Sequence, residues 1–369
     1  MGTFGFQAGD FAQAERRLQE GLSVFEALGD RWGIAFALQG LGLVARYRGD
    51  FAQAAALQEK SLALNRELGH PWGIASTLLT MALISLRQGD YPRAVSYLKE
   101  SLALFEELGD AASQARVRHY LGLIAYYQGD DQRARTLLEG SLTLARQIGL
   151  KDAVSQILAV LGRLALRQGD SDKAMQLGRE ALALSEETHA QWPRAYALRL
   201  LAASTLHQRD FEGAESLARE SLEIYRAIGD AWAVAWALQL LGEIALSRGD
   251  HDGARARFAE ALDARQRQGD RLGIAESIEG IAASAARDAA PERIVRLLGA
   301  AAAQREAIKA PLPRTDHGWY APALSMAKAQ LSPEAFETAW THGRTMSLAD
   351  TAAEALDMVH AVGNVAHSR

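Results

Sequence analysis

The stretch GDFAQA stands at Gly9–Ala14 and returns, letter for letter, at Gly49–Ala54. The interval is forty residues, and it persists. Gly-Asp recurs at Gly89-Asp90, Gly129-Asp130, Gly169-Asp170 and Gly249-Asp250, with Arg209-Asp210 as the one departure. A second series lies halfway between: Gly29-Asp30, Gly69-His70, Gly109-Asp110, Gly149-Leu150, Gly229-Asp230 and Gly269-Asp270. Glycine takes the left-handed conformation just past a helix C-terminus. Aspartate then caps the next helix by accepting from its unbonded N–H groups. The spacing therefore predicts two helices of about eighteen residues per forty-residue unit, joined by tight turns.

The segments between turns carry a helical period. Ile34, Leu38, Leu41 and Ala45 make one apolar stripe; Ala14, Leu18, Leu22 and Phe25 make another. Three columns run through the repeats. The first is Ala14, Ala54, Ala94, Ala134, Ala174, Ala214 and Ala254. The second is Gly2, Gly42, Ala82, Gly122, Gly162, Ala202, Gly242 and Ala282. Both are expected where two helix backbones nearly touch. The third is Leu22, Leu62, Leu102, Leu142, Leu182, Leu222 and Leu262, expected in the core. One hairpin cannot bury its own apolar face, so the hairpins must stack.

Composition narrows the function classes. The chain has 369 residues, 49% hydrophobic and 23% charged, which places it among folded proteins. A net charge of −5 gives no pervasive basic surface for direct nucleic-acid binding. The absence of cysteine excludes disulfides, thiolate catalysis and cysteine-ligated zinc. MGTFGFQAGD has no basic segment followed by an apolar one, and no eighteen-residue apolar run occurs. This reads as a cytoplasmic chain without a membrane partner. The nine histidines show no metal-ligand spacing, and no serine sits in GxSxG. No catalytic residue, metal or cofactor is assigned, and the chain is read as a non-enzyme.

The repeats resemble the tetratricopeptide repeat. Leu41-Gly42, Ala45, Gly49-Asp50 and Ala54 follow its pattern, as do Leu121-Gly122, Ala125, Gly129-Asp130 and Ala134. The unit is longer than the usual one of about 34 residues. That elongated form is similar to the arrays of large bacterial LuxR-type and ATPase-containing regulators. The resemblance covers about residues 1–289. It implies an all-α, right-handed solenoid of about seven helical hairpins, the first incomplete, followed by a helical cap over 290–369 with disordered last residues.

Prolines 291, 311, 313, 322 and 333 mark that cap, with helices expected near 291–309, 318–331, 333–342 and 348–361. In the relatives, nucleotide-binding and helix-turn-helix modules flank such a region. No GxxxxGK[ST] occurs here, and the chain carries no helix-turn-helix. The first hairpin begins halfway through. The helix over 11–28 is therefore expected to expose its stripe, to self-associate, or to meet a missing module or separate chain.

The resemblance further implies that the first helix of each hairpin lines a concave groove. The groove residues assigned by register are Arg46, Tyr47, Arg116, His119, Tyr126, Tyr127, Arg163, Arg167, Tyr196, Arg199 and Trp236. Register also points Phe36, Arg87, Gln239, Glu243, Glu276 and Glu279 inward, which leaves the far end acidic. Arginines and aromatics commonly anchor interfaces, and guanidinium pairs bidentately with carboxylate. An acidic or carboxylate-bearing protein segment or peptide is the expected partner, near Arg116, Arg163 and Arg199. The competing reading is that these arginines only keep helix surfaces soluble.

A fourth column, Trp32, Trp72, Trp192 and Trp232, is expected to pack the loop end of each hairpin. The function implied is a regulatory interaction domain of a bacterial signalling or transcriptional protein. A free-standing adaptor and a small-effector sensor remain open.

Overall fold

The turn residues set the helix boundaries. In the computed structural model, residues 11–312 and 318–366 are described; they form eighteen α-helices and include no strand. In chain order these begin with α1 (Phe11–Leu28), α2 (Arg31–Tyr47), α3 (Phe51–Glu67), α4 (Pro71–Arg87), α5 (Tyr91–Glu107) and α6 (Ala111–Tyr127). There follow α7 (Asp131–Gln147), α8 (Lys151–Arg167), α9 (Ser171–Glu187), α10 (Gln191–His207), α11 (Phe211–Ile228) and α12 (Ala231–Arg248). The last six are α13 (His251–Gln268), α14 (Arg271–Ala285), α15 (Pro291–Ile308), α16 (Tyr320–Ala329), α17 (Pro333–Thr345) and α18 (Leu348–Ala366). The fold is all-α, a succession of helical hairpins of the tetratricopeptide-solenoid type. Gly2, the Gly9-Asp10 turn, Pro313 and the last three residues, expected to be disordered, lie outside the described residues.

The capping chemistry follows the repeat. Asp30 accepts from the Gly33 N–H at 3.0 Å, Asp50 from Gln53 at 2.9 Å and Asp130 from Arg133 at 3.1 Å. His70 does the same work with Nδ1, 3.1 Å from the Gly73 nitrogen. The preceding turn needs a positive φ, 67° at Gly29 and 82° at Gly49. Where glycine is missing the conformation persists: His189 has φ 55° and Arg209 φ 64°. Each side chain there carries a strain of about 1 kcal/mol.

Two compact units divide the chain. One is Met1–Leu161 with Glu180–Ala197 and Glu223–Trp232; the other is Gly162–Arg179 with Leu198–Leu222 and Ala233–Arg369.

In the first unit, Ala54, Ala94 and Ala134 are fully buried. The glycine column has a different cause from the expected backbone contact. A Cβ on Gly42 would stand 2.5 Å from Gln58 Nε2, and one on Gly122 would stand 2.7 Å from Leu138 Cγ. The small residue receives a side chain of the second helix. A serine column adds to this. Ser61, Ser101 and Ser141 are fully buried, and each hydroxyl donates to a carbonyl of the preceding helix, at Ala35 (2.8 Å), Ala75 (2.7 Å) and Ala115 (2.7 Å).

The leucine column is less buried than expected at Leu22, Leu102 and Leu142; beside the latter two, the fully buried Ser101 and Ser141 hold the innermost position. On α1 the stripe Ala14, Leu18, Leu22 and Phe25 is half-buried, Phe25 lies against Gly33, and Val24 and Leu28 face solvent.

In the second unit Phe258 fills the hollow left by Gly242 and Gly280. Ile294, Leu297 and Leu298 of α15 pack with Ala352, Ala355 and Met358 of α18 in one cluster with α13 and α14. Here backbones do touch: a Cβ on Gly343 would stand 2.0 Å from the Arg296 carbonyl oxygen. Glu354 of α18 pairs with Arg293 (3.4 Å) and Arg296 of α15.

Candidate functional site

The second helix of a hairpin covers one side of the first and leaves a stripe of the first at spacings of four, three, four and four. On α2 that stripe is Trp32, Phe36, Gln39, Leu43 and Tyr47, every member exposed or half-buried. Trp32 and Phe36 stack at 5.7 Å between ring centroids. The corresponding stripes carry the cations and rings expected from register.

In the first unit the charges of Arg46, Arg116 and Arg87 bear on Tyr120. Arg46 is 9% exposed, and its guanidinium carbon lies 4.3 Å from the centroid of the Tyr47 ring. Tyr47 in turn stacks on Phe11 at 5.3 Å. Arg87 lies over Trp232, 3.0 Å from the ring centroid. Burial weakens its hold on the proton, and Asp230 opposes that effect.

Burial also pushes the Tyr120 phenol upward, while the charges of Arg46, Arg116 and Arg87 pull the other way. A phenol held in its neutral form remains a hydrogen-bond donor. Arg116 is exposed; His119 is buried, and its ring meets Tyr120 edge-on at 5.0 Å. Burial lowers the His119 pKa to about 4, so the imidazole is neutral near pH 7. Tyr127 stacks on Tyr91 at 6.1 Å, while Tyr126 is buried beside it. Tyr196 is buried against Trp192, with centroids 5.2 Å apart.

The tryptophan column has a definite task. Trp72 Nε1 donates to Asp110 at 3.2 Å, and Trp192 Nε1 donates to Asp230 at 2.9 Å. Each indole ties one first helix to the turn before the next. Asp110 also caps α6 through Ser113. Burial raises its pKa, but the Ser113 N–H, the Ser113 hydroxyl and Trp72 prevail and hold it below the usual range.

In the second unit, Trp236 lies between two guanidinium groups, Arg163 at 6.0 Å and Arg199 at 4.6 Å from its centroid. Arg167 is half-buried at the end of α8. The expected acidic end is used internally. Glu279 is 1% exposed and holds Arg305 of α15 in a bidentate pair at 2.6 and 2.8 Å. Glu276 pairs with Arg265 at 3.2 Å, and Glu243 accepts from Gln239 at 3.1 Å. Register alone turns these carboxylates inward; arginines of neighbouring helices turn Glu279 and Glu276 to the scaffold, and Gln239 of its own helix meets Glu243.

Among the described residues no group of His, Asp and Glu is arranged to hold a metal, and no helix is long and apolar enough to cross a membrane.

The tetratricopeptide repeat family model matches residues 1–67, 73–147, 113–187 and 193–267, more than half of the chain. The chain belongs to the tetratricopeptide repeat family. No curated protein matches the sequence. Among solved structures, this tetratricopeptide array is similar to a Rap protein complexed with competence and sporulation factor. The TM-score is 0.56 at 14% identity, over 81% of this chain and 75% of that one. It is also similar to NprR in complex with its cognate peptide NprX, with TM-score 0.53, 14% identity, and 67% and 71% of the two chains covered. The Rap conjugation gene regulator of plasmid pLS20, in complex with the Phr* peptide, gives 0.51 at 14% identity over 87% and 95%. At such identities the likeness is one of fold.

Within the tetratricopeptide array, then, Arg46 lies over Tyr47 and Arg87 over Trp232 in the first unit, and the charges of Arg46, Arg87 and Arg116 bear on Tyr120. Arg163, Arg199 and Trp236 come together in the second. Tyr126, His119 and Tyr196 are buried and support their neighbours. Tyr120 and Trp232 were not assigned by register. The signal for Trp232 is its place in the tryptophan column; Tyr120 sits one position off the stripe and gives none.

Proposed function

We propose that this chain is the protein-interaction, regulatory part of a bacterial cytoplasmic signalling or transcriptional regulator, and that it is not an enzyme. It binds a partner protein or peptide along the stripes of its first helices, through carboxylates of an acidic segment. Arg116, Arg163 and Arg199 are the arginines that meet that segment. The observation that carries the reading is the placement of guanidinium groups beside aromatic planes on these stripes: Arg46 on Tyr47, and Arg163 and Arg199 about Trp236. Such planes hold a side chain without consuming its capacity for bidentate pairing. The complexes of NprR with its cognate peptide NprX and of the pLS20 Rap regulator with the Phr* peptide, similar in fold, support the reading.

The test is selection of peptides from a random library on the immobilised chain, then anisotropy titration of the selected peptides. Asp- and Glu-rich peptides are expected, with affinity at least tenfold weaker in the Arg116→Glu/Arg163→Glu variant and weaker in high salt. Selection of neutral or basic peptides, or equal affinity for both proteins, would overturn it.

A further inference from the structure

A cavity of about 390 Å³ opens in the second unit, between α14, the last turns of α15, the link 310–312 and the start of α16. Every residue that lines it lies beyond position 267, where the tetratricopeptide model ends its match. Lys309 shapes it. This residue ends α15 in the left-handed conformation, φ 58°, with its N–H on the Arg305 and Glu306 carbonyls. The Ala310 N–H donates to the Arg305 carbonyl at 3.0 Å, and Pro311 cannot continue the helix. Ala302, Ala310, Pro311 and Leu312 give the cavity apolar walls, and Tyr320 adds an aromatic side chain.

The charges on its walls are unequally engaged. Glu279 is held by Arg305 in the bidentate pair at 2.6 and 2.8 Å. Glu306 is held in the same manner by Arg344 of α17, at 2.9 and 2.7 Å. Lys309 is exposed and, among the described residues, makes no ion pair. A ligand cation would have to compete with two arginines for its carboxylates, whereas an anion meets an ammonium with three donors. Tyr320 supplies a second polar group. Burial and the Glu279 charge raise its pKa to about 12, against the pull of Arg305, so the phenol stays neutral and can donate.

We propose that this cavity binds a small organic acid, whose apolar body enters between Ala302, Ala310, Pro311 and Leu312 and whose single carboxylate meets the Lys309 ammonium and the Tyr320 hydroxyl. The volume lies at the small end of the roughly 300–1,000 Å³ range of ligand cavities and suits a body of one or two rings. One unpaired cation on otherwise apolar walls disfavours a polyanion such as a nucleoside phosphate, whose further charges would be stripped of water without a partner. The site uses other residues than Arg116, Arg163 and Arg199 and does not rest on peptide binding.

The test is isothermal titration calorimetry of the full chain with indoleacetate, indoleacetamide and tryptamine, which share one ring system and differ in charge. The acid should bind, the neutral amide about tenfold more weakly, and the amine without measurable heat. Lys309→Gly should weaken the acid by about tenfold and leave the amide unchanged. Glycine relieves the left-handed backbone, so this variant should melt no lower than wild type. Lys309→Arg should keep the preference for the acid. Ala302→Leu, at a half-buried position on the wall, should abolish binding of acid and amide alike.

No heat from the acid, or equal affinity for acid, amide and amine, overturns the proposal. An acid affinity that survives both Lys309→Gly and Ala302→Leu overturns it too, because binding then lies elsewhere. Binding lost in Ala302→Leu but indifferent to Lys309→Gly overturns the assignment to an acid. Acidic peptides selected on the chain should bind Lys309→Gly as they bind wild type, so neither result decides the proposed function.

Discussion

The guanidinium of Arg87, at the end of α4, covers the ring of Trp232, at the start of α12, with 3.0 Å between its carbon and the ring centroid. The contact joins two distant parts of the first unit and buries Trp232 to 6% exposure. A double-mutant cycle with Arg87→Met and Trp232→Leu should give a coupling of about 0.5–2 kcal/mol by urea denaturation. Zero coupling would mean that the two groups do not meet in solution.

Gly343 and Gly140 are both helical glycines, with opposite expectations. A Cβ at Gly343 meets the Arg296 carbonyl oxygen at 2.0 Å, whereas one at Gly140 meets nothing within 4 Å. Gly343→Ala must push α17 from α15 and should destabilise by roughly 1–3 kcal/mol. Gly140→Ala should stabilise by about 0.5–1 kcal/mol through helix propensity and unfolded-state entropy. Chemical denaturation of the two variants checks both signs.

Glu279 is the buried partner of a buried arginine. Glu279→Gln leaves Arg305 charged and poorly paired, with an expected loss of about 3–5 kcal/mol. Replacing both by apolar residues, as Glu279→Leu with Arg305→Met, should recover most of that loss. The same denaturation assay separates the two outcomes.

His119 makes stability depend on pH. Its folded pKa of about 4 lies below the unfolded value of 6.5, so between these values the unfolded chain binds the extra proton. Its contribution is therefore intact above pH 6.5 and is lost as pH falls toward 4, by about 3 kcal/mol in all. His119→Gln should flatten the stability profile in that window. An unchanged slope between pH 6.5 and 4 would show that the imidazole reaches solvent.

Much of the fold was legible because the forty-residue punctuation is chemical. A left-handed residue followed by a cap specifies a helix end and the next helix start together, and that geometry survives even at His189 and Arg209. The serine column was not legible. A helical Ser61 or Ser101 reads as solvated until the facing carbonyl of Ala35 or Ala75 is placed.

The candidate site was legible in residue type and only partly in direction. Register places Glu279 and Arg163 equally on the first helices. What separates them is the partner: Arg305 comes from α15, beyond the periodic array, and period alone carries no knowledge of it. Trp232 meets Arg87 across distant helices, a contact that a nearest-neighbour repeat pattern does not encode.

Hydrogen exchange of the full chain with and without the tightest selected acidic peptide tests the central claim most directly. The account predicts slowed exchange along the first helices, in α2, α4 and α6 around Arg46, Arg87 and Arg116 and in α8 and α10 around Arg163 and Arg199. Protection confined to the second helices α3, α5, α7 and α9, or to α15–α18, would contradict it.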